Sequence, residues 1–395
     1  MTRRGPVRLA VWGVYGRGNF GNEATLSAIL QRLDARDVSP VLFTEDPDEA
    51  ARLHRVPAVR IGRPVSGRAR SRPIRALSAA FNRLGFLASA LRRVAAVDAV
   101  AIGGTGPLEQ YGSGSFGTPY EIWCLAIACR ILRRPFLLLD IGVGVLPGAA
   151  GRFFVRGIAR AASYRSYRDE ASRESMDRSG ARGTLDDTVA ADLAFALRPP
   201  LSPLRELGLV VVGLMDFWGA DSSFDATDEH ASYRRRCLEL VDGLTSRGHE
   251  VVLVGGDDVD LAFAHAIAPD TAAGVRVVEA RTPDDLCLTL SAAAAVVATR
   301  FHTLVFALLA QTPVVSIGYD RKHQSVLEQF DIDGSHFGTE VFDPDTVVHR
   351  VEEAIRHTEP LREKMVRGVE AARTRLDDQW PDIARAITRR GKGGA

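Results

Sequence analysis

The side chains best suited to chemistry gather between Thr299 and Lys322, in the run TRFHTLVFALLAQTPVVSIGYDRK. Arg300 and His302 stand two apart where a buried-strand pattern, AVVAT, gives way to the apolar segment LVFALLA. A second strand pattern, PVVSI, releases Tyr319, Asp320 and Lys322 at its end. In an open parallel sheet, ligands bind outside the carboxyl ends of the strands. Two successive strand ends therefore bring cations to one edge, which suits a small, multiply charged anion. Histidine adds a group of the kind that exchanges protons near neutrality. Arg168 closes another strand pattern, YRSY, with Asp169 placed to cap the helix that starts at Glu170. Its planar fork either binds a carboxylate or phosphate, or pairs locally with Asp169, Glu170 or Glu174.

Three glycine clusters follow strand patterns in the first half: Gly16-Arg17-Gly18-Asn19-Phe20-Gly21, Gly103-Gly104-Thr105-Gly106, and Gly142-Val143-Gly144. Glycine there lets backbone N–H groups approach an anion or a sugar, or simply makes a tight turn. The first cluster is a literal GxGxxG opening a helix, with Asn22 as a plausible cap and Leu26, Ile29, Leu30 and Leu33 on one face. A dinucleotide site would also want an acid near Glu45 or Asp46. However, Gly13-Val14-Tyr15 separates the strand from the first glycine of the motif, and the acid comes late. The nicotinamide or flavin reading is therefore the weaker one. Glu23 and Glu109 follow two of these loops, and Glu109 would project from that strand edge as a candidate carboxylate.

Composition bounds the rest. At 395 residues, 46% hydrophobic and 25% charged, the chain has room for two globular domains. A net charge of +1 gives no global pull toward nucleic acid. Cys124, Cys129, Cys237 and Cys287 form no CxxC pair and no His stands at metal-ligand spacing from them, so core thiols are expected and no metal. The opening MTRRGPVRLAVWG lacks the apolar run of a signal peptide, and this predicts a cytoplasmic protein. Charge is uneven, however: residues 51–97 hold eleven Arg and no acid. Within that segment Ile74, Leu77, Phe81, Leu84, Leu87 and Leu91 form a helical stripe flanked by Arg75, Arg83, Arg92 and Arg93. Such a helix either covers a sheet or docks peripherally on an anionic membrane.

The elements that position these residues alternate strand and helix. Strand patterns are VRLAVW, SPVLF, DAVAIG, FLLLDI, YRSY and VAADLAF, then LGLVVVGL, EVVLVG, VRVVE, AVVAT and PVVSI. Alternating βα units imply parallel, doubly wound sheets. The three prolines of LRPPLSPLRELG, residues 197–208, mark a linker. The expected organisation is an αβα domain over 1–198, a second over 205–342, and charged helices with a loose tail over 343–395. Two such domains facing across a cleft would place a ligand site there.

Taken together, GRGNFGNEATL, AIGGTGPLEQ, LLLDIGVGVLP, SYRDEAS, VAADLAFAL and the long run from Thr282 to Lys322 resemble the polysaccharide pyruvyl transferase family, in the family's order over nearly the whole chain. The most specific part is Arg300-x-His302 followed by Tyr319-Asp320-x-Lys322. The resemblance implies a glycosyltransferase-B-like α/β fold and transfer of pyruvate from phosphoenolpyruvate to sugar hydroxyls as a ketal. It further implies that Arg168, Arg300 and His302 hold the donor, with Lys322 as a further cation. Phosphoenolpyruvate is then a co-substrate and no cofactor is needed. His302, Glu23 and Glu109 are the expected proton carriers. Gly18, Asn19, Gly21, Asn22, Gly103, Gly104, Thr105, Gly142 and Gly144 are expected to line the acceptor side. The family's frequent N-x-G-D-E reads Asn19-Phe20-Gly21-Asn22-Glu23 in this chain, and the frequent acid after the second glycine loop is Gln110, with Glu109 beside it. The acceptor base is therefore displaced by one residue, or the acceptor chemistry differs. The competing readings are a nucleotide-sugar glycosyltransferase on the same scaffold and a non-catalytic protein that docks on membranes through 51–97. Under the leading reading the acceptor is a glycan, with a lipid-linked one favoured by the Arg-rich segment.

Overall fold

The computed structural model describes residues 5–61, 72–104, 106, 108, 115–144, 148–181, 187–216, 227–272, 274–318 and 321–388, with backbone alone for 72–82 and 227–229. Contacts divide the chain into two compact units. The first comprises Met1–Arg17, Thr25–Leu193 and Arg375–Ala395, and the second Gly18–Ala24 and Ala194–Thr374.

The first unit is a wholly parallel sheet of β1 (Val7–Trp12), β2 (Val38–Thr44), β3 (Ala58–Arg60), β4 (Ala99–Gly103), β5 (Phe136–Ile141), β6 (Tyr164–Tyr167) and β7 (Thr188–Val189). The strand order is β3-β2-β1-β4-β5-β6-β7. Its connections are α1 (Phe20–Arg32), α2 (Pro47–His54), α3 (Arg72–Ala95), α4 (Thr118–Leu132), α5 (Gly148–Ala161) and α6 (Glu170–Arg178). Sheets covered on both faces need continuous apolar strands, and FLLLDI is buried at every position. Helices α3, α4 and α5 cover one face through Phe86, Ala90, Val94, Ile122, Val155 and Ile158. The expected α3 stripe shifts at Leu84, which is 68% exposed, because Phe86, Ala90 and Val94 take the buried side. Residues 62–71 and the side chains of Ile74, Leu77 and Phe81 lie outside the described residues.

The second unit is also parallel, in the order β10-β9-β8-β11-β12-β13. Its strands are β8 (Glu206–Leu214), β9 (Glu250–Gly255), β10 (Arg276–Val277), β11 (Ala293–Ala298), β12 (Val314–Gly318) and β13 (His336–Gly338). The helices are α7 (Thr227–Ser246), α8 (Asp258–Ile267), α9 (Pro283–Ala292), α10 (Phe301–Leu309), α11 (Arg321–Gln329), α12 (Pro344–Arg356) and α13 (Thr358–Thr388). Val210, Val212, Leu253, Val297, Val315 and Ile317 form the strand side of its core.

Several expectations shift. VAADLAF gives only the two-residue β7, then a 3-10 turn over Leu193–Ala196, since Ala-Ala-Asp has little β propensity. The short edge strands β3 and β13 carry too little pattern to be seen in sequence. The second unit begins before the Pro-rich segment, where Arg373 donates to the carbonyls of Phe195 and Leu197. The end of α13 belongs instead to the first unit. There Arg375 donates to the Ala190 carbonyl, Gln379 Nε2 donates to both oxygens of Asp140, and Tyr164 donates to Gln379 Oε1. All four cysteines are free and buried, as expected.

Asp140, the penultimate residue of β5, has a left-handed φ of 48° at a break in the β5–β6 register. Burial pushes its carboxyl up to about 7, against the hydrogen bonds from Gln379 and Ser166. A folded-state value above the unfolded one favours the folded protein at low pH, and that support is lost as pH rises through about 7. Asp140→Asn keeps a side chain tolerant of positive φ and removes the titration. Melts across about pH 5 to pH 8 should show the variant gaining on the parent protein as pH rises, by on the order of 1–4 kcal/mol. Parallel curves would contradict this origin.

Candidate functional site

In each sheet the strand order reverses direction once, between β1 and β4 in the first and between β8 and β11 in the second. Connections leave such a point toward opposite faces and open a crevice at the strand ends. Arg300 and His302 directly follow β11, and the Gly103-Gly104 loop directly follows β4. The sequence thus places its candidate residues at the two topological switch points.

In the second unit, Thr299 Oγ1 donates to the Gly213 carbonyl at 2.8 Å and fixes the exit of β11. Arg300 then takes the N-cap position of α10 with extended backbone, and its side chain does not cap the helix. Instead the guanidinium is gripped by two carboxylates. Nε donates to Asp260 Oδ2 at 2.5 Å, and Nη2 donates to Asp257 Oδ2 and Asp260 Oδ1, each at 2.8 Å. Asp260 is fully buried and also accepts from the Gly256 and Asp216 amides. Burial pushes its carboxyl up, while Arg300 pulls it down. Asp257 meanwhile caps α8. Arg300 is therefore an oriented cation whose charge is already met by carboxylates.

His302 lies in the first turn of α10, its ring 5.2 Å from that of Phe301 and 6.2 Å from that of Phe306. Backbone closes over it: a methyl group added at Gly21 would fall 2.1 Å from His302 Nδ1. Only glycine permits that approach without moving the imidazole. The first loop is held in this position by Phe20, whose amide donates to the Gly256 carbonyl at 3.4 Å. Gly18 has φ +70° and abuts Asp258. Asn19, rather than Asn22, is the cap of α1: its Oδ1 accepts from the Asn22 amide at 3.2 Å, and its carbonyl accepts the first helical bond from Glu23. Glu23 is buried in that first turn. Gly18 to Ala24 thus belong with the Arg300–His302 edge of the second unit.

Lys322 reaches the same edge from α11, with Nζ 5.8 Å over the Phe301 ring. Beside it, fully buried His323 shares the Ser316 hydroxyl with His336, at 2.7 and 3.4 Å from their Nδ1 atoms. Burial pushes His336 down.

In the first unit, Arg168 is 4% exposed and its Nε donates to Asp169 Oδ2 at 3.1 Å, so the local pairing is formed. Asp169 caps α6 as expected, accepting from the Ser172 amide. A Cβ at Gly142 would stand 2.6 Å from the Arg168 guanidinium carbon, so this glycine seats the arginine. Gly103 and Gly104 pack against Ile29 and Thr25 of α1, and the Gly144 amide donates to the Leu108 carbonyl. Thr105, Glu109, Gln110, Tyr319 and Asp320 lie outside the described residues.

Sequence reasoning missed Asp257 and Asp260. Their signal was GGDDVD directly after β9, a glycine pair and acids at a strand's carboxyl end. The acids once weighed for a nucleotide ribose are engaged elsewhere: Glu45 pairs with Arg17 at 2.8 Å and Asp46 caps α2. Among the described residues no group of three His, Cys, Asp or Glu side chains is placed to hold a metal ion, and no helix is long and apolar enough to cross a membrane.

No curated protein matches the chain by sequence. In fold it is similar to a Listeria monocytogenes protein described as a UDP-N-acetylglucosamine 2-epimerase, with 11% identity, TM-score 0.62, and 97% of this chain and 96% of that one covered. A Neisseria meningitidis UDP-GlcNAc 2-epimerase bound to UDP-GlcNAc gives 10% identity and TM-score 0.56 over 95% and 99%. The glycosyltransferase SnogD of Streptomyces nogalater gives 17% and 0.55 over 96% and 99%. At such identities the likeness speaks for fold: two parallel αβα units of the glycosyltransferase-B kind. The family profile of polysaccharide pyruvyl transferase matches residues 19–321, from the asparagine that caps α1 to the first residue of α11, and the chain belongs to that family of enzymes.

Proposed function

We propose that the enzyme transfers pyruvate from phosphoenolpyruvate to two hydroxyls of a glycan, forming a ketal. The observation that carries this reading is the Arg300–His302 pair at the second switch point, with Gly21 closed against His302, in a chain of this family. Phosphoenolpyruvate carries a carboxylate and a phosphate, so its site needs oriented cations and helix N-terminal amides. Arg300, Lys322 and the first turn of α10 supply them in the second unit. The family resemblance also assigns donor binding to Arg168, which is seated on Gly142.

The chemistry balances without an oxidant or a metal. The enol C3 takes a proton and one acceptor oxygen bonds to C2. A second oxygen of the same acceptor bonds to C2 as the C2–O bond to phosphate breaks, and inorganic phosphate leaves. One hydroxyl proton makes up the new methyl group and the other departs with phosphate. His302 is the proposed proton donor to C3, and Glu23 the proposed base toward the acceptor. Glu109 is the alternative base. Such proton transfers contribute on the order of 10²–10⁴ in rate.

The direct test is an assay of purified protein with phosphoenolpyruvate and candidate glycans, read by phosphate release together with mass gain of the glycan. Thermal melts separate this reading from a nucleotide-sugar transferase. A ligand at about a hundred times its Kd adds about 2.7 kcal/mol to the folded state. Phosphoenolpyruvate should raise Tm by several degrees and UDP-sugars should not; the reverse pattern would favour glycosyl transfer.

Arg300→Ala would strip Asp260 of its partner and destabilise the unit, by about 3–5 kcal/mol for a buried pair. Arg300→Lys is the cleaner variant, since an ammonium still serves the carboxylate but the fork is lost. Turnover should fall by roughly 10²-fold or more with a near-normal melt. Unchanged turnover would remove Arg300 from the site.

Gly21→Ala probes the closure over His302. The imidazole must turn away from the added methyl, so kcat/KM should drop at least about tenfold, the equivalent of about 1.4 kcal/mol. Phosphoenolpyruvate should still shift the melt. Parent-like kcat/KM would show that the position of His302 is immaterial.

A further inference from the structure

The outward side of the α3–α4–α5 layer is unlike the rest of the first unit. Its inward side fills the core, but three apolar side chains face solvent: Leu84 in the middle of α3 is 68% exposed, Phe153 in α5 60%, and Phe116 just ahead of α4 47%. These tips are supported from below. The Phe154 ring centroid lies 5.4 Å from that of Phe116, 5.5 Å from those of Tyr120 and Trp123, and 5.7 Å from that of Phe153. A Cβ at Gly157 would fall 2.5 Å from Trp123 Nε1, so α5 presses directly on this cluster. The tips are thus held on a rigid aromatic base.

Charge marks the same layer. The three helices together carry nine Arg and one acid, Glu121. On α5, Arg152, Arg156 and Arg160 recur every fourth residue, and all three are exposed. Arg83 of α3 lies 4.1 Å over the Phe116 ring, and Tyr120 donates to the Arg83 carbonyl, so cation and aromatic are fastened together. Arginines around protruding aromatic and aliphatic tips are the chemistry of a surface that sits in the headgroup layer of an anionic bilayer.

We infer that the outward face of α3, α4 and α5 docks the enzyme on an anionic lipid surface, with Leu84, Phe116 and Phe153 entering the interface and the surrounding arginines meeting lipid phosphates. The charge decides between occupants. A second copy of the chain would bring Arg83 and the exposed Arg152, Arg156 and Arg160 against their own like, which like-charge repulsion opposes. Nucleic acid would satisfy the arginines but leave the apolar tips unused. The inference stands apart from pyruvyl transfer, because none of these residues belongs to the candidate site.

The test uses the full-length protein with vesicles of phosphatidylcholine alone or mixed with phosphatidylglycerol, scored by co-sedimentation. Binding should require the anionic lipid and weaken as salt is raised. Phe116→Ser with Phe153→Ser should lower partitioning by about tenfold or more, with the activity on a water-soluble acceptor unchanged and the protein still folding cooperatively despite the lost ring contacts. Arg152→Glu with Arg160→Glu should do the same through charge. Absence of binding to anionic vesicles would overturn the proposal, as would binding that ignores both double substitutions. A dimer in analytical ultracentrifugation that Phe153→Ser dissolves would overturn it in favour of self-association. Displacement of nucleic acid by the Arg substitutions alone would overturn it in favour of that polymer.

Discussion

The approach of the Gly21 backbone to the His302 ring is the constraint around which the second unit's site is arranged. A 2.1 Å vacancy requirement at one Cβ position explains why the first loop needs glycine there. It also explains why that loop belongs to the second unit although α1 continues into the first. The amide of Phe20 on Gly256 and the Asn19 cap hold the helix end in register with the ring. The rings of Phe301 and Phe306 flank the imidazole at 5.2 and 6.2 Å.

A second rule is shared by both units. Each puts an arginine next to a strand-end glycine and gives it a carboxylate: Arg168 with Gly142 and Asp169, Arg300 with Gly256, Asp257 and Asp260. Guanidinium groups held in this way lose little orientational freedom on meeting a ligand, which lowers the cost of binding. The same carboxylates also offset the positive charge, so each guanidinium offers direction more than net charge. Burial of Asp260 works against its ionisation, which tempers that offset.

The sequence made the large-scale plan legible for a physical reason. Parallel strands buried on both faces must be continuous apolar runs, so eleven strand patterns stood out, and β5 and β11 are buried throughout. Strand ends in doubly wound sheets are where ligands bind, so position singled out Arg168, Arg300 and His302 as candidates, while their shared role came only from the family resemblance. What escaped notice depended on pairing across the fold. Asp257 and Asp260 looked like ordinary helix-start acids, and only the β9-β8-β11 order reveals that they face Arg300. Asn19 lost the cap to Asn22 on paper because both are good caps one turn apart. Leu84 fitted a helical stripe, but a stripe does not say which of its edges the sheet will choose.

The unit boundary follows from the same distinction between local pattern and long-range partner. Three prolines break regular structure and so read as a linker, yet a break in secondary structure is not a break in packing. Arg373 binds the carbonyls of Phe195 and Leu197 ahead of those prolines. Two residues further on, α13 makes its hydrogen bonds to Ala190 and then Asp140. A single helix thus serves both units, and no local propensity changes along it to mark the crossing. The Gln379–Asp140 contact also ends on the strand whose next loop seats Arg168, so α13 braces the strand that leads to a candidate residue more than two hundred positions before it.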